Sequence, residues 1–236
     1  MIKRAMILAA GYGKRLQPFT KKVPKPLLEI QGEGLIQRQI KALAVAGIED
    51  IMINLGHLGP QIPKKLGDGK AFGVRLYYHQ EPEKAPFETG GGVRAVYDWF
   101  ADQPFILSSA DIWSDYDWAK LAAHKLDGKY AHLVLYPKPK WLDKGDFSIS
   151  EGGVLEKPSD RCFTYANFGV FHPRLWDGTA EGHFPLKDLL FPALDQKQLS
   201  GEIYEGPWFN IGCRQRLAEL CAHLGIGLDK TNIDQV

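Results

Sequence analysis

The feature that most constrains this chain is the junction between its first apolar run and the loop that follows. Arg4-Ala-Met-Ile-Leu-Ala9 reads as a buried strand and passes directly into Ala10-Gly11-Tyr12-Gly13-Lys14-Arg15. Glycines placed straight after a strand let backbone N–H groups approach an anion with no Cβ in the way. A strand that ends so predicts an open α/β sheet, whose ligands lie beyond the carboxyl ends of its strands. The first half keeps to that plan. Leu35 to Ala46 carries Leu35, Ile36, Ile40, Leu43 and Ala44 at one-face helical spacing and stops at Gly47. Ile51–Asn54, Val74–Tyr78 and Phe105–Leu107 read as further strands, and Val93, Val96, Trp99 and Phe100 predict a helix after Gly92. Asp111 falls just past the end of the fourth strand.

The second half changes character. Ala131–Tyr136, Phe147–Ile149, Val154–Leu155, Tyr165–Phe171 and Trp208–Ile211 read as strands, while Leu186–Leu194 and Arg214–Leu224 read as helices. Alternation of strand and helix predicts a doubly wound, mostly parallel Rossmann-like sheet with a smaller antiparallel part covering the substrate. The expected organisation is one domain over residues 1–236, in two halves at 1–125 and 126–236. No hexapeptide-like repeat follows, so no appended β-helix domain is expected.

The loop chemistry favours phosphate. Arg15 offers a planar fork to phosphate oxygens, and Lys25, held between Pro24 and Pro26, offers a point charge of restricted direction. Two familiar phosphate loops fail the test. The dinucleotide fingerprint needs Gly or Ala where Leu16 stands, and the P-loop needs Lys-Ser/Thr where Lys14-Arg15 stands. The formal net charge is only +1, from 29 basic and 28 acidic residues, which argues against a nucleic-acid partner. That balance conceals a local excess: Lys14, Arg15, Lys21, Lys22 and Lys25 lie together, with no acidic residue between Met1 and Leu28.

The whole string from Leu8 to Leu27, Leu-Ala-Ala-Gly-x-Gly-x-Arg followed by Pro18, Thr20 and Pro24-Lys-Pro-Leu27, resembles the signature of the sugar-1-phosphate nucleotidyltransferases. Phe87-Glu-Thr-Gly-Gly-Gly92, Asp111–Asp117, Lys144-Gly-Asp-Phe147 and Trp208-Phe-Asn-Ile-Gly212 extend the likeness to its uridylyltransferase members, over about Arg4 to Ala222. The resemblance implies a nucleoside triphosphate, UTP, as donor and a sugar 1-phosphate, that of N-acetylmuramate, as acceptor, with release of pyrophosphate. Alternatives are hexose-1-phosphate guanylyl or thymidylyl transfer, or a nucleotide-binding pseudoenzyme. It further implies that Arg15, Lys25 and Asp111 are catalytic, and that Ala10, Gly11, Tyr12, Gly13, Glu88, Thr89, Gly90 and Ser109 hold the nucleotide. Gly145, Glu156 and Asn167 would face the sugar, and Asp111 and Asn210 would bind Mg²⁺.

Two positions depart from the family pattern. Ser109-Ala110-Asp111 replaces the usual Asn-Gly-Asp, and Asn210, followed by Cys213, stands where the second metal-binding Asp and a Thr are usual. An amide oxygen can bind Mg²⁺ but brings no negative charge, so metal binding without substrate is expected to be weaker. Plainer readings exist as well: Asp111 as a turn or helix-capping residue, Glu88–Gly92 as a connector, Glu156-Lys157-Pro158 as a solvated turn. The three cysteines (Cys162, Cys213, Cys221) and seven scattered histidines show no zinc or disulfide spacing. The first ten residues read as a strand and not a leader, and no apolar run is long enough for a membrane span. A cytoplasmic location is expected, and nothing in the sequence fixes an oligomeric state.

Overall fold

The computed structural model of the protein describes residues 1–82 and 85–227; the last part of the expected 1–236 domain lies outside them. The first half runs β1 (Arg4–Ala9), a series of 3-10 turns, a tight hairpin of β2 (Glu29–Ile30) and β3 (Glu33–Gly34), then α1 (Leu35–Val45), β4 (Asp50–Leu55), α2 (Gln61–Leu66), β5 (Arg75–Gln80), α3 (Glu88–Arg94), β6 (Phe105–Ser109), β7 (Ile112–Ser114) and α4 (Trp118–Ala123). The second half adds β8 (Ala131–Pro137), β9 (Ser148–Ile149), β10 (Leu155–Glu156), β11 (Phe163–Phe171), α5 (Lys187–Asp195), β12 (Leu199–Ile203), β13 (Trp208–Asn210) and α6 (Arg214–His223).

One seven-stranded sheet, in the order β12-β8-β11-β6-β1-β4-β5, crosses both halves. Only β11 runs against the other six. The sheet is therefore mostly parallel, as the alternating sequence pattern requires, and small antiparallel pairs, β9 with β10 and β7 with β13, stand outside it. Strand periodicity divides the core. Ala5, Ile7 and Ala9 of β1 face a layer built on Ile36, Ile40 and Leu43 of α1 with Ile62 of α2 and Leu121 of α4. Met6 faces the opposite layer, where Val93 of α3 and Leu190 of α5 join Phe100, Phe105, Phe171 and Trp176. A third cluster packs Leu16, Phe19, Leu28 and Ile30 against Trp113, Ile211, Leu217 and Leu220. Burial of such side chains contributes roughly 1.5–3 kcal/mol each, enough to hold a loop that has no strand ladder of its own.

The helix expected after Gly92 begins earlier, at Glu88, and contains Gly90, Gly91 and Gly92. These glycines are there for close packing, not for flexibility. A Cβ on Gly91 would lie 1.9 Å from the Gly182 carbonyl oxygen, one on Gly90 would lie 2.6 Å from the Phe184 ring, and one on Gly92 would lie 2.8 Å from Glu81 Oε1. The connector reading of this stretch is thereby replaced by a tightly seated helix.

The edge strand β12 is fastened to the first half through Glu202. Tyr116 donates a hydrogen bond to Glu202 Oε1, Lys120 of α4 stands 2.5 Å from Oε2, and His132 of β8 lies 3.9 Å from the same oxygen. Burial alone would raise the Glu202 carboxyl, but His132, Lys120 and Tyr116 outweigh it and hold the group at about 2. His124, stacked on His132 at 3.7 Å, is pushed down from the ordinary imidazole value by burial first and then by the neighbouring imidazole.

Two outcomes follow. Gly91→Ala should lower the free energy of unfolding by about 1–3 kcal/mol, read from urea denaturation, because backbone stands in the way of the new methyl group. A carboxyl depressed in the folded state stabilises above its unfolded value and loses that contribution as pH falls through the folded one. Glu202→Gln should therefore be less stable than the parent at pH 7, and the gap in urea midpoint should close between pH 4.5 and about 2. A gap independent of pH would show that Glu202 acts through packing alone.

Candidate active site

The carboxyl ends of β1, β4 and β6 meet at a cleft, and two buried amides organise it. Asn54, the fifth residue of β4, accepts a hydrogen bond from the Ala9 N–H at 2.7 Å and donates to Glu81 Oε1 at 2.6 Å. Glu81, 2 % exposed, also accepts from the Phe87 N–H at 2.8 Å. The start of the glycine loop and the entry to α3 are thus tied to one carboxylate. Gln39 of α1, 4 % exposed, donates to the Ser109 carbonyl at 2.7 Å and to the Ile112 carbonyl at 2.9 Å. Those two carbonyls flank Asp111, so Gln39 fixes the turn that presents it.

The glycine loop leaves β1 through Ala10 and Gly11 and enters a 3-10 turn at Lys14–Leu16. Gly13 takes φ of 62°, and a Cβ there would lie 2.9 Å from the Thr20 methyl; glycine satisfies both demands. Thr20 closes the turn by donating to the Gly13 carbonyl at 2.9 Å. Space opens instead above Gly11, where an added Cβ would meet nothing within 4 Å. Tyr12 leans on the His57 ring, and the Lys14 ammonium sits 5.1 Å from the centre of the Tyr12 ring.

Lys25 and Asp111 form an ion pair at the cleft, both largely shielded from solvent. Asp111 sits in the turn between β6 and β7, as its turn reading has it, but it caps no helix: the cap of α4 is Asp117, which accepts from the Ala119 N–H at 3.0 Å. The β7–β13 pair aligns Asn210 with Ile112, and the Ile211 N–H donates to the Asp111 carbonyl at 2.9 Å, so the backbones carrying Asp111 and Asn210 are adjacent. Arg15 reaches the same place; a Cβ on Gly212 would lie 3.0 Å from its guanidinium and 3.7 Å from Asn210 Oδ1.

Two cavities open from this junction. One, of about 440 Å³, is lined by Ala10, Gly11, Tyr12, Lys25, Glu88, Thr89, Ser109 and Asp111, with Asn54 and Glu81 at its base. The other, of about 400 Å³, is lined by Asn167 and Asn210 with Asp146, Thr164, Trp141 and Lys187. Leu8, Thr89 and Ser109 belong to both and form the shared wall. Asn167 enters through a bulge in β11 between Tyr165 and Gly169, with φ of 64° that turns its amide out of the strand's ordinary alternation.

Five residues expected at the site line neither cavity; one is Arg15, whose guanidinium lies beside Gly212. Gly13 and Gly90 are structural: the first shapes the loop, and the second lies under Phe184 with its carbonyl accepting from Trp176 Nε1 at 2.9 Å. Gly145 lies against Cys162, 2.7 Å from where its Cβ would be. Glu156 is exposed on β10, and the adjacent Lys157 pairs with Asp195 of α5 at 2.8 Å, the arrangement of a solvated turn. Sequence reasoning in turn missed Asn54, Glu81, Gln39 and Lys187. Gln39 carries a visible signal, since it falls on the apolar face marked by Leu35, Ile36, Ile40 and Leu43.

For a divalent cation the donors on offer are the Asp111 carboxylate and the Asn210 amide oxygen. Among the described residues no group of three or more His, Cys, Asp or Glu side chains could hold a metal. Two hard oxygens without a full protein cage suit Mg²⁺, which binds through one or two protein oxygens and fills its shell with water and phosphate.

An open sheet with a glycine loop and paired charges between two adjoining cavities is the framework of a nucleotide-handling transferase. A family model described as nucleotidyl transferase matches residues 4–225. The N-acetylmuramate alpha-1-phosphate uridylyltransferase of Neisseria meningitidis serogroup B is 35% identical over 228 residues, covering 94% of this chain and 98% of that protein. The mannose-1-phosphate guanylyltransferase catalytic subunit beta of Drosophila melanogaster is 28% identical over 94% of this chain and 63% of its own length. In fold, a chain from Bacillus anthracis described as a glucose-1-phosphate thymidylyltransferase superposes with a TM-score of 0.83 at 21% identity, covering 94% of this chain and 95% of that one. The chain belongs to the nucleotidyl transferase family, among its sugar-1-phosphate nucleotidyltransferases. No helix among the described residues is long and apolar enough to cross a membrane.

Replacing Gln39 with Leu would leave the Ser109 and Ile112 carbonyls without their donor. The expected cost is about 1–3 kcal/mol in urea unfolding, with a fall in activity larger than the loss of folded protein explains, because the Asp111 turn is released.

Proposed function

We propose that the protein transfers a uridylyl group from UTP to N-acetylmuramate 1-phosphate, giving the UDP-sugar and pyrophosphate. The observation that carries a two-substrate transfer is a pair of cavities sharing the wall of Leu8, Thr89 and Ser109, with Lys25 and Asp111 lining one and Asn167 and Asn210 the other. The choice of UTP and of this sugar rests on the relative from Neisseria meningitidis, which matches along nearly its whole length.

In this reading the nucleotide occupies the cavity beneath the glycine loop, with its triphosphate under the Gly11 backbone and its base toward Glu88, Thr89 and the buried Glu81. The sugar phosphate enters from the cavity lined by Asn167. A phosphate oxygen of the sugar phosphate attacks the α-phosphorus, the new P–O bond forms, and the bond to the β-phosphate bridging oxygen breaks as pyrophosphate departs. Two anions must be brought together, so the chain's task is positioning and charge neutralisation. Lys25 supplies a cation at the junction, its direction limited by Pro24 and Pro26. Arg15 adds a second near Gly212. Mg²⁺, held by Asp111 and Asn210, would supply further neutralisation of the triphosphate.

Purified protein should release pyrophosphate from UTP and N-acetylmuramate 1-phosphate in the presence of Mg²⁺. Lys25→Ala and Asp111→Ala should each reduce kcat by about 10²–10³. Asn210→Asp should lower the Mg²⁺ concentration needed for half-maximal rate. Pyrophosphate release with GTP or dTTP and a hexose 1-phosphate in preference would replace the substrate assignment, and nucleotide binding without turnover on any acceptor would mark a pseudoenzyme.

A further inference from the structure

The proposed acceptor differs from N-acetylglucosamine 1-phosphate by a lactyl ether on the sugar, which carries a carboxylate. A cavity that selects this sugar must neutralise that charge. The sugar-side cavity is dominated by uncharged surface, including Trp141, Phe147, Leu190 and Phe191. Its acidic residue, Asp146, is turned to the protein, accepting from Thr164 Oγ1 at 2.7 Å and from the Tyr165 N–H at 2.9 Å. Lys187, the first residue of α5, is the one cation among the described residues lining it. Its ammonium has no ion-pair or hydrogen-bond partner among the described residues. The other cations near the junction are already placed: Lys25 against Asp111, and Arg15 beside Gly212.

From this placement we infer that Lys187 is a specificity-determining residue, reading the acidic substituent of the acceptor from the α5 wall. The inference rests on the proposed function. An unmatched carboxylate in a cavity that already holds Asp146 would be disfavoured by like charge and by desolvation beside aromatic walls. An ammonium without an internal partner gives up no protein contact to meet it. Its exposure in the free protein limits the strength of the pair, so the effect is expected to be moderate.

The test compares kcat/KM for N-acetylmuramate 1-phosphate and N-acetylglucosamine 1-phosphate, at saturating UTP, in the parent protein and in Lys187→Ala, Lys187→Glu and Lys187→Arg. The parent should prefer the acidic sugar. Lys187→Ala should reduce that preference about tenfold, through KM, where about 1.4 kcal/mol corresponds to a factor of ten. Lys187→Glu should reduce it further, and Lys187→Arg should restore most of it. Equal losses on both acceptors would mean that Lys187 meets the shared phosphate, and no loss would mean that it meets nothing; either result overturns the inference and leaves the proposed function standing. A parent protein that prefers the neutral acceptor would overturn both.

Discussion

Strands that end together at one edge of a parallel sheet leave their last polar groups facing the same cleft, and a cleft that must stay open cannot satisfy them with further strand. This protein meets the constraint with two side-chain amides. Asn54 holds the Ala9 N–H and the Glu81 carboxylate, and Gln39 holds the Ser109 and Ile112 carbonyls. Each is buried, and a buried polar group without a partner costs more than a made hydrogen bond gains. The two amides therefore lock rather than merely line the site. One fixes where the glycine loop departs, the other fixes the turn carrying Asp111, and the Lys25–Asp111 pair joins the two constructions across the cleft.

The sequence revealed what periodicity can carry. β1, α1, β4, β5, β6 and β8 are long enough for their apolar spacing to show, and α5, β13 and α6 lie where the pattern places them. Short elements escaped. Six-residue α2 and α4 and three-residue β7 offer too little repeat, and β12 interrupts its alternation with Gly201 and Glu202. The start of α3 was hidden for a different reason. Three glycines disfavour a helix locally, yet only glycine lets that helix approach Gly182, Phe184 and Glu81, so tertiary packing overrode propensity.

Site residues divide along the same line. Gly11, Lys25, Thr89, Ser109 and Asp111 stand in recognisable strings, and the fold gathers them about one cavity. Asn54, Glu81 and Lys187 belong to no string; they line the cavities because β4 and β5 end, and α5 begins, where they do. Glu156 is the converse case. It sits in a suggestive tripeptide, but β9 and β10 form a separate hairpin that keeps it in solvent. A motif's chemistry reaches a site only if the surrounding elements turn it there.

The same distinction applies to charge. The five cations from Lys14 to Lys25 look like one basic patch, yet the 3-10 turns disperse them, and of the five only Lys25 lines the cavity beneath the glycine loop. There it is matched by Asp111, one positive charge against one negative. Asn210 beside them adds an oxygen without adding charge. A second carboxylate at that position would cancel the charge of Arg15 beside Gly212 and leave the four groups with no net charge to draw an anion. With an amide there, Lys25 and Asp111 cancel and Arg15 leaves the local balance positive. An amide in place of a carboxylate thus keeps an oxygen at the junction while sparing an incoming phosphate one repulsive charge, and the electrostatics of this site favour anionic ligands.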